Sequence, residues 1–542
     1  MNKVQKITVL AGLFVGTISS LSAQIGHGGL PYSFRKSTGL SQLNVEWLPY
    51  LDNKTLLEEE TTTASKQDGF TFGKEIDVNY NLDNSGLWEN LSNGSRLWRL
   101  AIESTGAYSL NLLFDSFYIP PHSHLFIYTE DQSFVMGSFT YENNNQWGDF
   151  ATSLLPGDAI VLEYYESEQD YGKGIIQLST VVHGYKNLLF QKGGTWGSSM
   201  KCNVDANCED GNQYPDAKRA TAMILLKGSA LCSGTLLNNT AQDGKPYFLT
   251  ANHCLFGNTS QWVFVFNYES IDCNNDAEKL TYSINGATLL ANHKHSDFAL
   301  LLLNAKPTKN FNAYYAGWDS RNIAVAGAFG FHHPNGDKKK FSKNKKLLDS
   351  SKYDEDASSP DNTHWKVTYW DMGVTEGGSS GSALFNNLQQ VIGQLEGGPT
   401  ANCSNPTGNY DLYGKFAYSW TNGNNPNKVR LDYWLDSLKT GVQVMQGYDP
   451  YKSKSTSVPN GVEEDMIKIS LLPNPAVDRV VVTANTLIIS CKIYSVSGQC
   501  VKSETINSSS IDLNVKELAE GVYILELQTE QGILHKKLGI RR

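Results

Sequence analysis

Residues 375–385 read TEGGSSGSALF, in which three serines and three glycines precede a short apolar run. Stretches this rich in glycine and serine are usually loops. The same pattern can also present a nucleophile, because glycines beside a serine leave room for backbone amides to face a developing negative charge. The candidates for such a nucleophile are Ser379, Ser380 and Ser382. A nucleophile is the stronger interpretation only if the chain also supplies a general base and a carboxylate.

The partners that a nucleophilic serine needs lie upstream of this stretch. LCSGTLLNNTAQDGKPYFLTANHC reads as two strands ending at His253, and a disulfide from Cys232 to Cys254 would fix the backbone of that histidine. A fixed imidazole stays within reach of a hydroxyl. In HSDFALLLLN, Asp297 precedes an apolar run, where a carboxylate can orient an imidazole. The order His253, Asp297, Ser380 is one of the known orders of a Ser-His-Asp triad and predicts nucleophilic catalysis.

Composition and charge argue against several other functions. A net charge of -10 does not favour nucleic acid as the main partner. No pair of the eight cysteines has CxxC spacing, and adjacent residues such as His332 and His333 rarely face one ion, so we expect no metal site and no cofactor. The basic run DKKKFSKNKK (Asp337–Lys346) is interpreted as a solvated loop, because no aromatic platform accompanies it.

The chain begins with a stretch typical of an export signal. Lys3 and Lys6 precede an apolar segment, and small residues then offer a cleavage site between Ala23 and Gln24. The apolar segment is too short to span a membrane comfortably, and we expect no transmembrane segment later in the chain. A buried N-terminal helix is the alternative interpretation of residues 1–23.

Cysteine content and polarity divide the remainder of the chain. Residues 24–192 contain no cysteine and alternate apolar and polar residues in short runs, which is typical of strands and shows no clustered catalytic residues. Residues 193–447 hold six of the cysteines, and residues 448–464 are polar and turn-rich as in a linker. Residues 465–542 form a compact strand-rich module. The sequence therefore predicts an all-β protein of several folded units.

Several motifs of the middle region resemble one enzyme family. CSGTLL, YFLTANHC, SDFALLLL and GGSSGSALF resemble the trypsin-like (chymotrypsin-fold) serine endopeptidases. CNVDANC, AGWD, FHHPN, GVTEGGSSGS, IGQLEGGP and YDLYGKFAYSW resemble, more narrowly, the bacterial lysyl endopeptidase family, and this likeness covers about Gly193 to Gly447. It implies two six-stranded antiparallel β-barrels with the active site between them. The disulfides implied by the family are Cys202–Cys403, Cys208–Cys273 and Cys232–Cys254.

The resemblance also assigns catalytic roles. It makes Ser380 the nucleophile, His253 the general base and Asp297 the residue that orients this base. The amides of Gly378 and Ser380 would form the oxyanion hole. Most trypsin-like enzymes carry aspartate directly before the nucleophile, where it pairs with a newly freed N-terminus. Ser379 stands there in this chain, so the resemblance implies maturation by removal of a prosegment.

Specificity for lysine is implied by a different carboxylate from that of trypsin. At the usual trypsin position this chain has Val374, whereas the family's pocket aspartate aligns with Asp411. An ordinary turn aspartate is the alternative for Asp411. The strand from Gln394 to Gly397 would pair with the substrate backbone. Glu396 replaces a histidine that family members often stack on a tryptophan, which bears on rate, pH optimum and the preference for lysine over arginine.

The junction before the protease-like region contains a lysine. QKGG places Lys192 and Gly193 where a lysine-specific enzyme could cut its own chain. Residues 24–192 would then be a β-rich propeptide that aids folding or blocks the cleft. A β-sandwich binding domain retained in the mature protein is the alternative.

The last module resembles the C-terminal sorting domain of the type IX secretion system. The likeness spans about Asp465 to Arg542 and implies a small β-sandwich exported by that machinery, with removal or surface anchoring afterwards. Cys491 and Cys500 lie inside this module, and whether they pair is left open.

Together these features predict a secreted serine endopeptidase that cleaves protein and peptide substrates on the carboxyl side of lysine, acting as a monomer. One alternative is a trypsin-like protease that also accepts arginine. The other is a secreted binding or adhesion protein on a protease scaffold, which would be expected to carry a damaged triad or oxyanion position. The quoted motifs contain no such damage.

Overall fold

A computed structural model describes most of the chain. The described residues are 26–35, 40–63, 70–188, 199–273, 282–353, 360–399, 401–404, 410–421, 425–452, 469–495, 500–529 and 532–542. They fall into two compact units, divided between Tyr451 and Lys452, inside the predicted linker. Within the described ranges, no helix has the length and apolar character needed to cross a membrane.

The residues before the protease-like region form two sheets, which are antiparallel apart from one short parallel edge strand, Val45–Trp47. The first has the order β1-β5-β11-β7-β8 with β4 on β5, and the second has the order β10-β6-β12-β3 with β9 on β6. Buried residues of both sheets, such as Leu100 and Leu112, share one apolar core, so the two sheets form a β-sandwich. The strands are β1 (Val45–Trp47), β2 (Phe70–Thr71), β3 (Gly73–Asn81), β4 (Leu87–Asn90), β5 (Arg96–Glu103), β6 (Ser109–Tyr118), β7 (His124–Thr129), β8 (Val135–Phe139), β9 (Phe150–Ala151), β10 (Leu155–Pro156), β11 (Ala159–Glu166) and β12 (Ile175–Gly184), with helices α1 (Tyr32–Arg35) and α2 (Asn53–Thr63).

The protease-like region is also built mainly of short strands. Its strands are β13 (Val204–Asp205), β14 (Thr221–Leu226), β15 (Ala230–Leu237), β16 (Tyr247–Ala251), β17 (Val263–Phe266), β18 (Tyr282–Asn285), β19 (Ala287–His293), β20 (Phe298–Leu303), β21 (Gly317–Asp319), β22 (Phe329–His332), β23 (Lys340–Lys343), β24 (Asp349–Ser351), β25 (His364–Val367), β26 (Ala383–Phe385), β27 (Gln390–Gly397), β28 (Asp411–Lys415) and β29 (Val444–Met445). Its helices are α3 (Glu209–Asn212), α4 (Pro215–Ala220), α5 (Phe416–Thr421), α6 (Pro426–Val429) and α7 (Asp432–Leu435).

The first sheet of this region closes on itself. Its order is β18-β17-β14-β15-β16-β20-β19, so β18 and β19 stand at opposite ends of the order. Only Gly286 separates these two strands along the chain, and its φ of +75° makes the bend. A Cβ at this position would lie 2.1 Å from the side-chain amide of Asn304, so glycine is required. Counted as one bent strand, β18 and β19 close a six-stranded barrel.

The second sheet closes in the same way. Its order is β13-β23-β22-β26-β27-β28-β25-β24, and the short segment 344–348 joins β23 to β24. Within that segment the Leu348 amide donates to the carbonyl of Val325, 3.0 Å away, just before β22. Treating β23 and β24 as one strand, and leaving out the two-residue strand β13 that pairs with β23, gives a second six-stranded barrel. The predicted all-β fold with two six-stranded barrels is therefore confirmed.

The β-sandwich and the first barrel share a hydrogen-bonded strand pair and a core. Strand β2 pairs antiparallel with the start of β15, with Thr71 opposite Ala230 and Phe70 opposite Leu231. Next to it, Phe72 is fully buried in an apolar cluster that contains residues of both parts. The sandwich therefore adds an edge strand to the barrel.

All three disulfides implied by the resemblance are present. The bonded pairs are Cys202–Cys403, Cys208–Cys273 and Cys232–Cys254. The last of these spans 22 residues and joins β15 to the turn that carries His253.

The interpretation of Asp337–Lys346 as a solvated loop is wrong. Strand β23 lies inside this run, and Lys338 and Lys339 are 3% and 1% exposed. The Lys339 ammonium is 3.2 Å from a carboxylate oxygen of Glu269, and the next lysine pairs with a further carboxylate. Buried acidic partners offset the cost of desolvating these charges, and charge content alone does not reveal such partners.

The second unit is a small all-β module. Its strands are β30 (Ile469–Leu472), β31 (Arg479–Ser495), β32 (Cys500–Asn514), β33 (Gly521–Thr529) and β34 (Gly532–Ile540), in the order β30-β31-β33-β34 with β32 on β31. The apolar faces of these strands meet in one core. Cys491 is buried, Cys500 is exposed, and both are free thiols, so the open question of their pairing is answered.

Candidate active site

The histidine and the aspartate meet because their strands are neighbours. Strands β16 and β20 pair with Ala251 opposite Phe298, which brings the turn after β16 beside the turn before β20. His253 Nδ1 lies 2.7 Å from Asp297 Oδ2, and the His253 amide donates to Asp297 Oδ1 at 2.8 Å. The Asn252 amide donates to the Asp297 carbonyl at 2.7 Å. The pair is thus fixed through backbone and side chain together.

The electrostatics of this pair suit a general base. Burial by itself would lower the pKa of His253, but the charge and hydrogen bond of Asp297, aided by the charge of Glu396, raise that pKa above its ordinary value. Because Asp297 is 2% exposed, its charge is little screened by water. With the Nδ1 proton directed at Asp297, Nε2 is the nitrogen left to accept a proton.

Of the three candidate serines, Ser380 alone is partly exposed. Ser379 and Ser382 are 0% and 1% exposed, whereas Ser380 is half-buried. The carbonyl of Ser380 accepts a hydrogen bond from the Ser233 amide at 2.8 Å. Ser233 directly follows Cys232, which is disulfide-bonded to Cys254. This arrangement connects residues 376–382, which we call the nucleophile loop after the candidate Ser380, to the turn that carries His253.

Of the three predicted catalytic residues, the structure joins His253 to Asp297 by hydrogen bonds. Among the described residues, no hydrogen bond links the Ser380 hydroxyl to the His253 ring, although the ring is bonded to Asp297. Catalytic hydrogen bonds are often long in enzymes without substrate and shorten when substrate binds.

The backbone before Ser380 is fixed by a hydrogen bond and by a glycine with positive φ. The carbonyl of Gly377 accepts from the Asn335 amide at 2.6 Å, and in a trans peptide the following N–H points the opposite way. The Gly378 amide is therefore directed away from Asn335. Gly378 has φ of +85°, and a Cβ there would lie 2.4 Å from Leu231 Cδ1. Both facts require glycine at this position.

Ser379 has a structural part in the same loop. Its hydroxyl accepts a hydrogen bond from the Glu376 amide at 3.1 Å and lies 2.8 Å from His332 Nδ1. The second nitrogen of that ring is 2.9 Å from the Ser342 hydroxyl. Where many trypsin-like enzymes have a charged aspartate, this chain has a buried neutral contact.

His332 and His333 are both buried, and His332 contacts Ser379 of the same loop. Burial lowers the pKa of each to about 3, so both rings are neutral. His333 Nδ1 is 3.1 Å from the Asp337 carbonyl, and its ring stacks on Tyr268.

Asp411 is a buried carboxylate at the start of β28. It is 4% exposed, and its Oδ2 accepts from Trp370 Nε1 at 2.5 Å and from the Thr375 hydroxyl at 2.8 Å. Burial raises the pKa of Asp411, and these two hydrogen bonds offset only part of the rise. Both donors are neutral. Gly398 lies against the carboxylate, since a Cβ there would be 2.6 Å from Asp411 Oδ1.

Gln394 and Gly397 differ in what they offer to a substrate. Gln394 is fully buried, and its side-chain amide donates to the Ser296 carbonyl at 2.6 Å, so this side chain supports the turn before Asp297. Gly397 lies near the end of the ladder with β28, past the bulge at Leu395, and is partly exposed. The exposed end of β27 is the part able to meet an extended peptide.

Glu396 has a histidine partner that the sequence did not suggest. Glu396 Oε2 lies 2.5 Å from Nε2 of His364, whose ring is fully buried on β25. Burial is the main cause that raises the pKa of Glu396, the contact with His364 lowers it, the charge of Asp297 raises it, and the net result is a pKa of about 7. The position that carries histidine in the family is thus filled by a carboxylate with an imidazole behind it.

Some functional contacts could not be read from the sequence, and some predictions lie outside the described residues. No motif marked His364 or Glu376, because their partners are distant along the chain. The predicted cleavage sites at Ala23, Gln24, Lys192 and Gly193 lie outside the described residues.

An aspartate-held histidine on one barrel and a glycine-flanked serine on the other are features typical of chymotrypsin-fold serine proteases. Residues 196–414 match the family model of the lysyl endopeptidase C-terminal domain. The chain is 33% identical over 283 residues to a lysyl endopeptidase of Pseudomonas aeruginosa. That match covers 48% of this chain and spans only 59% of that protein's length. The predicted resemblance to the family is confirmed.

Solved structures similar to this chain include a protease from M. tuberculosis. The active form of the Rv3671c protease is 12% identical with a TM-score of 0.27, covering 42% of this chain and 89% of that chain. An inactive form of the Rv3671c protease is 14% identical with a TM-score of 0.26, covering 39% of this chain and 91% of that chain.

The C-terminal unit has its own match. Residues 470–541 match the family model of the secretion system C-terminal sorting domain, which confirms the predicted type IX sorting domain. The protein is therefore secreted, or anchored at the outer cell surface after export.

Proposed function

We propose that this protein is a serine endopeptidase that cleaves on the carboxyl side of lysine. The observation that carries the lysine assignment is Asp411, a buried carboxylate whose two hydrogen-bond donors, Trp370 and Thr375, are both neutral. Burying a negative charge without a cation carries a large desolvation free energy, and an entering ammonium group would offset it. Lysine presents such a group as a compact charge at the end of a flexible apolar stem.

The proposed catalytic steps give one role to each of the three predicted catalytic residues. The Ser380 hydroxyl attacks the carbonyl carbon of the scissile peptide while His253 Nε2 takes its proton. Asp297 holds the ring and stabilises its charged form. The amides of Gly378 and Ser380 stabilise the oxyanion. His253 then passes the proton to the departing amine, and a water molecule hydrolyses the acyl-enzyme with His253 again as base.

Paired peptide substrates test the lysine assignment. Mature protein is incubated with peptides that differ only in lysine, arginine or norleucine at the cleaved position, and kcat/KM is compared. We expect a strong preference for lysine, because only its ammonium reaches the Asp411 carboxylate. Equal turnover of the lysine and arginine peptides would replace the proposal with a general trypsin-like protease.

Labelling with a fluorophosphonate separates an enzyme from a binding protein on the same scaffold. The probe should modify the unaltered protein and leave Ser380→Ala unmodified, since only an activated serine reacts. If Ser380→Ala labels equally, the nucleophile assignment is wrong.

The β-sandwich before the protease region is proposed as a propeptide. Its strand β2 lies on β15 beside the nucleophile loop, and Phe70 carbons would be 3.5 Å from a Cβ placed on Gly377. A segment in this position can support the loop or obstruct substrate. N-terminal sequencing of Ser380→Ala tests self-processing at Lys192, because that variant should retain the propeptide. A Gly193 terminus in Ser380→Ala without added protease would contradict it.

A further inference from the structure

Three hydrogen-bond donors converge on one carboxylate at the start of the nucleophile loop. Glu376 Oε1 accepts from the Met200 amide at 2.7 Å and from Asn203 Nδ2 at 2.6 Å. Its Oε2 accepts from Asn335 Nδ2 at 2.6 Å. All three partners are donors, so the arrangement matches an ionised carboxylate, which accepts hydrogen bonds and donates none.

The same residue is bonded to the rest of its loop through the backbone. The Glu376 amide donates to the Ser379 hydroxyl at 3.1 Å, and the Ser379 amide donates to the Glu376 carbonyl at 3.0 Å. Asn335, which the Glu376 carboxylate holds, orients the next peptide by donating its own amide to the Gly377 carbonyl. A displacement of Asn335 would therefore remove the hydrogen bond that orients the peptide between Gly377 and Gly378.

The other end of the arrangement is the first described segment of the protease region, residues 199–203. Asn203 donates to Glu376 and also accepts from the Val374 amide at 3.1 Å, and Cys202 is disulfide-bonded to Cys403. The hydroxyl of Ser199 donates to the Asp337 carboxylate. This segment is thus anchored at several points, and Glu376 connects it to the nucleophile loop.

We infer that Glu376 is a positioning residue that holds the oxyanion-forming amide of Gly378 in place by tying its loop to residues 199–203 and to Asn335. This inference rests on the proposed endopeptidase function. Since Ser379 replaces the aspartate that pairs with a freed N-terminus in most trypsin-like enzymes, the loop needs another anchor. Glu376 supplies it with uncharged partners, an arrangement that does not depend on where the mature chain begins.

Glu376 acts on the transition state and not on lysine binding. Its carboxylate contacts Met200, Asn203 and Asn335, none of which belongs to the triad, and Asp411 has a separate set of partners. Loss of the anchor should weaken oxyanion stabilisation while leaving the lysine slot intact. A transition-state effect of this kind lowers kcat with little change in KM.

The test compares two inhibitors with turnover in processed protein. A lysine peptide aldehyde forms a tetrahedral adduct that uses the oxyanion hole, whereas n-butylamine fills only the lysine slot. In Glu376→Ala we expect kcat to fall about 30- to 300-fold, near the loss of one oxyanion donor. The inhibition constant of the aldehyde should rise by a similar factor, and that of n-butylamine should stay unchanged. Glu376→Gln keeps one acceptor oxygen, so its kcat should lie between the kcat of the unaltered protein and that of Glu376→Ala.

The matched control is Asp436→Ala. Asp436 also accepts several hydrogen bonds, from Thr440 and Gly441, in the same unit but outside the catalytic loop. The Asp436→Ala variant should have the same kcat and the same inhibition constants for both inhibitors as the unaltered protein. If Glu376→Ala fails to fold, Asn203→Ala removes one of the donors and carries the same comparison with a smaller fall in kcat.

The outcomes separate this inference from the proposed function. If the unaltered protein does not cleave lysine peptides, the endopeptidase proposal is wrong, and the inference that rests on it is wrong as well. If the unaltered protein cleaves and Glu376→Ala has equal kcat, the inference alone is overturned. Equal weakening of the aldehyde and of n-butylamine would also overturn it, because that result shows general disorder of the site.

Discussion

At the scale of single residues, this site depends on charges placed out of water. Three carboxylates of the site are mostly buried, and each has a different partner. Asp411 accepts from neutral donors, Asp297 contacts the His253 ring, and Glu396 contacts the His364 ring. A charge in such surroundings acts more strongly than at the surface, because less solvent screens it. Substitutions that remove one charge but keep the shape should therefore have large and separate effects.

Replacing Asp411 by asparagine should remove the lysine preference. Asparagine keeps an oxygen that can accept from Trp370 and Thr375, but no negative charge remains for the ammonium. The loss of one partner of a buried ion pair costs about 4 kcal/mol, so kcat/KM for lysine peptides should fall about 1000-fold. Turnover of a norleucine peptide is the control and should not fall. A parallel loss for both substrates would indicate that the pocket had collapsed.

Replacing Glu396 by glutamine should shift the pH dependence. The charge of Glu396 helps to raise the pKa of His253, and catalysis requires the neutral imidazole. Without that charge the pKa of His253 falls, so the acid limb of kcat/KM moves to lower pH. Profiles of kcat/KM between pH 4 and 9 measure the shift, with Asp436→Asn as the matched control. An unmoved acid limb would show that Glu396 does not act on His253.

At the scale of elements, the site exists because strands and one disulfide bring distant residues together. His253 follows β16, Asp297 precedes β20, and the pairing of these two strands sets their separation. The bond between Cys232 and Cys254 then fixes the turn of His253 to β15, which borders the nucleophile loop.

Removing this disulfide should affect both stability and catalysis. A bond that closes 22 residues stabilises a fold by about 3 kcal/mol in the chain-entropy description. The double variant Cys232→Ala/Cys254→Ala should lose about that much in urea unfolding, and its kcat should fall because His253 is held less firmly. Removing Cys208–Cys273 instead should lower stability alone. An unchanged kcat in the first variant would limit the role of the bond to stability.

At the scale of the whole molecule, the β-sandwich and the first barrel behave as parts of one compact unit. The shared cluster around Phe72, which includes Leu188 and Tyr268, is apolar and closed to solvent. Burial of this kind ties the stability of the barrel to the presence of the sandwich.

The contribution of the shared core can be measured in the unprocessed chain. With Ser380→Ala as background, Phe72→Ala should destabilise the unit by about 3 to 5 kcal/mol, because a fully buried aromatic ring is lost. The drop in Tm is recorded by calorimetry. Tyr50→Ala, at a side chain that is 72% exposed in the same region, is the control and should leave Tm nearly unchanged. Equal Tm values for the two variants would show that the cluster does not hold the parts together.

Local motifs predicted the all-β fold, and the family resemblances that these motifs carry implied the three disulfide pairings and the sorting domain. Short alternating strands, the glycines around Ser380 and the dipeptide His253-Cys254 are local signals, and each depends on neighbours in the chain. The same signals predicted that His253, Asp297 and Ser380 belong to one site, whose catalytic roles await the tests above.

Tertiary structure decided the features that depend on partners far apart in the chain. It buried Ser379 and Ser382 and left Ser380 partly exposed, and it buried Lys338 and Lys339, which the sequence had placed in solvent. It also joined Glu396 to His364. The physical reason is that burial and pairing depend on what lies opposite a residue in space, whereas local sequence records only what lies beside it.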